Sequence, residues 1–124
     1  MKPIKPLQIL IVDDERATLD ALANLTNSLG YKAIAFDKPE EALENYENLS
    51  PDLVLMDRNM PEMDGIACTE KILAEDGQAK IVIISGYDPE GPDGLDDHSR
   101  KLIKGYLTKP IEARHLSRMM KQVL

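Results

Sequence analysis

The sequence predicts an α/β fold with a parallel sheet and helices on both faces, and two observations carry that prediction. Short apolar runs alternate with helical patterns five times, joined by connections of a few residues. The runs in the middle of the chain also lack polar and apolar alternation, which suits strands covered on both sides. Leu7 to Val12 is the first such run and stops on Asp13 and Asp14. A helix follows, with Leu19, Leu22, Leu25 and Leu29 at near-helical spacing and Gly30 where a helix is usually closed. Tyr31 to Phe36 is a weakly alternating strand. Asp37 and Pro39 then signal a second helix, whose apolar stripe is Ala42, Leu43, Tyr46 and Leu49, with Glu40, Glu41, Glu44 and Glu47 turned to water.

The third unit organises the rest. Leu53 to Met56 is an apolar strand ending on Asp57; Pro61 and Asp64-Gly65 break the chain, and Ile66, Thr69, Ile72 and Leu73 mark a helix. A calcium loop is excluded by spacing, because Pro61, Glu62 and Cys68 stand where an oxygen ligand, the turn glycine and the bidentate Glu belong. Ala79 to Ser85 is a β-branched fourth strand closed by Ser85 and Gly86, and Gly105 to Thr108 a short fifth ending on Lys109 and Pro110. The final helix, Glu112 to Leu124, repeats Leu116, Met119, Met120 and Val123 at helical spacing. Between Tyr87 and Lys104 the chain is broken by Pro89, Gly91, Pro92 and Gly94. A fourth helix there is expected to be short, late or mobile.

Bulk properties narrow the function. At 124 residues, 43% hydrophobic and 30% charged, residues 1–124 are expected to form one domain with its core over 7–124. A formal charge of −7 opposes direct nucleic-acid binding by this domain. The single cysteine, Cys68, allows no internal disulfide and no thiolate cluster, and is expected to pack as a small apolar side chain. No segment reads as a signal peptide or a membrane span, so a cytoplasmic location is expected. Two glycosylation-like triplets, at Asn24 and Asn48, are uninformative there.

In an open parallel sheet, ligands bind outside the carboxyl ends of the strands. Asp13, Asp14, Asp57, Ser85 and Lys109 all fall at that edge. Each alone reads as a turn residue, a cap or a solvated side chain; five together do not. Carboxylates crowded there repel by roughly 4 kcal/mol per pair at about 4 Å and an effective dielectric near 20. Oxygen ligands without His or Cys indicate a hard cation, and Mg²⁺ fits best. With Lys109 as a fixed positive charge and Ser85 as a donor, Asp57 is placed to accept a phosphoryl group; a carboxylate nucleophile needs no general base.

These residues resemble the response-regulator receiver domain of two-component signalling, of the chemotaxis-regulator type, over Leu7 to Leu124. The motifs are Ile-Val-Asp-Asp ending strand one, Leu-Met-Asp-x-Asn-Met-Pro-x-Met-Asp-Gly around Asp57, Ser85 after strand four, and Gly-Tyr-Leu-Thr-Lys-Pro at strand five. The resemblance implies a flavodoxin-like sheet of order 2-1-3-4-5. It implies phosphorylation of Asp57 by the phosphohistidine of a sensor histidine kinase or a phosphotransfer protein. Asp14, Asp57 and the Asn59 carbonyl would bind Mg²⁺ directly, and Asp13 through water. Lys109 would hold the phosphoryl group, and Ser85 would move toward it together with Tyr106 as a switch pair. The resemblance also implies an output partner and a possible homodimer. Tyr87 matches a position that influences hydrolysis of the acyl phosphate, and Gly86 departs from the more usual alanine. Two other classes compete. Haloacid-dehalogenase-like phosphatases also use an Asp nucleophile, Mg²⁺ and a Lys, but place Asp-x-Asp after the first strand. A receiver-like module that no longer uses phosphorylation is opposed by the intact acid, serine and lysine set.

Overall fold

A computed structural model describes residues 6–86 and 94–124. The expectations for Tyr87, Pro89, Gly91 and Pro92 lie outside the described residues. The elements alternate as β1 (Gln8–Val12), α1 (Arg16–Ser28), β2 (Lys32–Phe36), α2 (Pro39–Leu49), β3 (Leu53–Asp57), α3 (Gly65–Glu75), β4 (Ile81–Ser85), α4 (Asp97–Leu102), β5 (Gly105–Thr108) and α5 (Ala113–Val123). The strands form one parallel sheet in the order β2-β1-β3-β4-β5, as the resemblance implies.

The three central strands are the runs without alternation, and the reason is burial on both faces. Ile9, Ile11, Leu53, Leu55, Val82 and Ile84 pack on one side with Leu19, Leu22, Leu116 and Met120. Leu10, Val12, Val54, Met56, Ile81 and Ile83 pack on the other with Ala42, Tyr46, Cys68 and Ile72. Cys68 is fully buried, and burial pushes its thiol pKa up to about 11, so it behaves as a packing residue. On α2 the four glutamates are exposed, as expected of a solvated face.

Helix ends follow the punctuation with one adjustment. Gly30, at φ +97°, takes the left-handed conformation that closes α1. Pro39 is at the first turn of α2, but Lys38 occupies the N-cap and makes no capping bond. Asp37 is therefore not the cap, and its carboxylate lies 3.5 Å from Arg16 Nη1. Asp64 does cap α3, accepting from the Ile66 N–H at 2.7 Å. The irregular interval resolves into a helix of six residues, α4, which starts late and is capped by Asp96 accepting from the Ser99 N–H.

Gly65 fixes where α3 begins. A Cβ built there would overlap the carbonyl oxygen of Asp57 and lie 2.9 Å from Cα of Arg58. The Gly65 N–H donates to the Arg58 carbonyl at 2.9 Å, so helix and strand end meet backbone to backbone. Gly65→Ala is therefore expected to cost about 2 kcal/mol, as overpacking typically does. A urea midpoint equal to that of the wild type would contradict the close approach.

Candidate functional site

The carboxyl ends of β1, β3, β4 and β5 open on one side of the sheet, and the polar residues gather there. Asp13 follows β1 and is 1% exposed; Asp57 ends β3 and is 4% exposed. Asp14 is exposed, two residues beyond the strand. One carboxylate oxygen from each of these three lies within 4.8 Å of the others. Lys109, just after β5, places Nζ 2.8 Å from Asp13 Oδ2 and 3.4 Å from Asp57 Oδ1. Asp13 Oδ1 also accepts from the Glu15 N–H at 2.9 Å, which fixes the turn into α1.

The strands hold these groups through their own ladder. Asp57 pairs with Ile84, and Ser85 with Thr108. Beyond the ladder, the Arg58 N–H donates to the Ile84 carbonyl at 2.8 Å and the Lys109 N–H to the Ser85 carbonyl at 2.7 Å. Ser85 is fully buried and its hydroxyl has no hydrogen-bond partner among the described residues. Such a group costs about 1–3 kcal/mol to leave unpaired, so it stands ready for an acceptor placed beside it.

The electrostatics follow from burial and crowding. Desolvation by burial, with the Asp13 charge second, pushes the pKa of Asp57 up to about 7, while Lys109 pulls it the other way. Burial disfavours the Lys109 ammonium, but its contacts with Asp13 and Asp57 outweigh this and raise its pKa. A single lysine thus offsets the negative charge only in part. The donor set, carboxylate oxygens with no imidazole or thiolate among them, fits a hard divalent cation such as Mg²⁺.

The structure brings together Asp13, Asp14, Asp57 and Lys109, with Ser85 at the adjacent strand end. Asn59 is exposed two residues beyond Asp57. Tyr106 is half-buried on β5, opposite Ile83. Two features escaped the sequence reading. Arg58 Nη1 donates to the Tyr106 hydroxyl at 3.0 Å, a pairing across 48 residues that no local pattern announces. A groove of about 490 Å³ also runs beside Lys109, lined by Ala17, Ala21, Leu22 and Leu25 of α1 and by Pro110 and Ile111. Only the amphipathic spacing of α1 hinted at the helical side of that groove.

A doubly wound parallel sheet with a lysine-backed acidic crevice at its carboxyl edge is the arrangement that the receiver-domain resemblance implies. The chain belongs to the response regulator receiver domain family, whose family model matches residues 9–121. It is 35% identical over 127 residues to the chemotaxis protein CheY of Treponema pallidum, covering 96% of this chain and 83% of that one. It superposes on a CheY-like receiver domain from Methylobacillus flagellatus with a TM-score of 0.86 at 26% identity, covering 97% of this chain and 100% of that one. A third similar structure is the response regulator TrrA of Thermotoga maritima in complex with Mg²⁺ and BeF, at a TM-score of 0.84 and 27% identity, covering 95% of this chain and 99% of that one. Among the described residues no helix is long and apolar enough to cross a membrane.

Proposed function

We propose that this domain is a phosphorylation-controlled switch in which Asp57 accepts a phosphoryl group from a phosphohistidine of a sensor kinase or phosphotransfer protein. The observation that supports it most is the buried Asp57 carboxylate, 3.4 Å from the Lys109 ammonium and clustered with Asp13 and Asp14. Asp57 Oδ attacks phosphorus as the P–N bond to the donor imidazole breaks, and the leaving nitrogen takes up a proton. Lys109 steadies the negative charge on the phosphoryl oxygens, and the Ser85 hydroxyl gains in one of them the acceptor it lacks. Asp14, Asp57 and the Asn59 carbonyl would hold Mg²⁺, with Asp13 behind them. When bound, the cation neutralises the carboxylates and the transferring oxygens. The apolar groove between α1 and Pro110-Ile111 opens beside Lys109, which suits the approach of a donor helix. Tyr106 and Ser85 then exchange one arrangement for another, and the new surface is read by an output partner.

The test is intact-protein mass spectrometry after incubation with a small acyl phosphate and Mg²⁺. One added, hydroxylamine-labile phosphoryl group on the wild type and none on Asp57→Asn is the expected result. Equal labelling of both proteins would remove Asp57 from the reaction. Turnover of an external phosphate ester that disappears in Asp57→Ala would favour the hydrolase reading instead.

A further inference from the structure

Arg58 follows Asp57 directly, yet its side chain serves another strand. Its backbone N–H is held by the Ile84 carbonyl at the end of β4, while its guanidinium bonds Tyr106 on β5 at 3.0 Å. The guanidinium carbon is 6.0 Å from the Tyr106 ring centroid. Because β4 lies between β3 and β5, the side chain passes the end of β4, where the Ser85 hydroxyl has no partner among the described residues. Both Arg58 and Tyr106 are half-buried, so water screens the pair only in part.

We propose that Arg58 is a latch on Tyr106, a positioning residue that holds the ring in the resting arrangement and so sets how readily the occupied form of the Asp57 site is reached. This rests on the switch reading given above. Movement of the ring away from its present place must give up a bond with a charged donor, a class stronger than bonds between neutral groups, together with the cation–π contact. A contact made in one state and lost in the other biases the equilibrium by its own free energy. For a half-buried pair of this kind the bias corresponds to a shift of about fivefold in the equilibrium.

The sign of the effect separates the latch from plain electrostatics. Arg58 is also a positive charge beside an anion-accepting residue, and on that ground alone its removal would weaken the binding of an anion. The latch predicts the reverse.

Beryllofluoride with Mg²⁺ is the probe, added to the full chain with ring-labelled tyrosine and followed by NMR, the Tyr106 signal being identified through Tyr106→Phe. In Arg58→Ala, half-saturation is expected at a beryllofluoride concentration about fivefold lower than in the wild type. Before any Mg²⁺ or beryllofluoride is added, the Tyr106 signal of the variant should already lie part of the way toward its saturated position. In a Tyr106→Phe background, with saturation followed by the other tyrosine signals, Arg58→Ala should shift half-saturation much less than it does with Tyr106 present, because the phenol bond is already gone and only the weaker ring contact is left to lose. Arg58→Lys keeps the charge but loses the fork, and should shift in the same direction, which preserves the comparison if the alanine variant folds poorly. Unchanged or weaker saturation in the Arg58 variants, or an equal gain in the phenylalanine background, overturns the latch while leaving the switch reading intact. No saturable response in the wild type overturns both.

Discussion

In a chelating buffer, Asp57→Asn is expected to be more stable than the wild type at about pH 8 and equal to it at about pH 4. The pKa of Asp57 is raised by burial and by Asp13 to about 7, against an ordinary carboxylate value of 3.8. Between those values the folded protein keeps a proton that the unfolded chain has released. Folding therefore binds protons in that window, and stability falls as pH rises through it. Above it both states are ionised and the loss is complete, on the order of a few kcal/mol. The asparagine amide resembles the protonated acid and has nothing to lose. Urea midpoints across this range should slope downward for the wild type and run nearly flat for the variant. Parallel curves would mean that the Asp57 carboxylate is not held in an unfavourable field. Adding Mg²⁺ at the alkaline end should restore the wild type far more than the variant, since the cation stabilises the charged cluster and has less to bind when Asp57 is neutral.

Lys109→Ala should move stability the other way. Among the described residues its ammonium is the cation within 4 Å of both buried carboxylates, at 2.8 Å from Asp13 and 3.4 Å from Asp57. Removing one partner of a buried ion pair leaves an uncompensated charge and typically costs about 3–5 kcal/mol. The loss should be largest at about pH 8 and shrink toward about pH 5, where Asp57 takes up a proton and relieves part of the repulsion. Combining Lys109→Ala with Asp57→Asn should cost less than Lys109→Ala alone, because the neutral side chain no longer needs the ammonium. Strict additivity of the two changes would show that Lys109 and Asp57 do not feel each other.

What the sequence made legible follows from what each residue has to satisfy. The central strands announced themselves because both of their faces are buried, which leaves no room for polar positions. The edge strand β2 was fainter, since Lys32 and Ala35 are exposed and the rest only half-buried. Of α4 only its shortness and lateness were readable, because it buries Ser99 and offers no apolar stripe of its own. The site acids were readable as strand ends, yet nothing in the adjacent pair told which was inside; the structure buries Asp13 and exposes Asp14. Nothing in the sequence singled out Arg58, which stands between two site residues. Its bond to Tyr106 depends on the sheet order bringing the ends of β3 and β5 to either side of β4, and no local period encodes that.

The missing Cβ of Gly65 also divides the molecule mechanically. Helix α3 is seated on the backbone of Asp57 and Arg58 without room for a methyl group, and Thr69 ties the same turn by donating to the Gly65 carbonyl at 2.8 Å. Strand tip and helix are thus a single stiff part, the stator of the device. A load applied at Asp57 finds no give on that side. In the switch reading proposed above, the give is left to side chains, those of Ser85 and Tyr106 on β4 and β5, which would be the rotor.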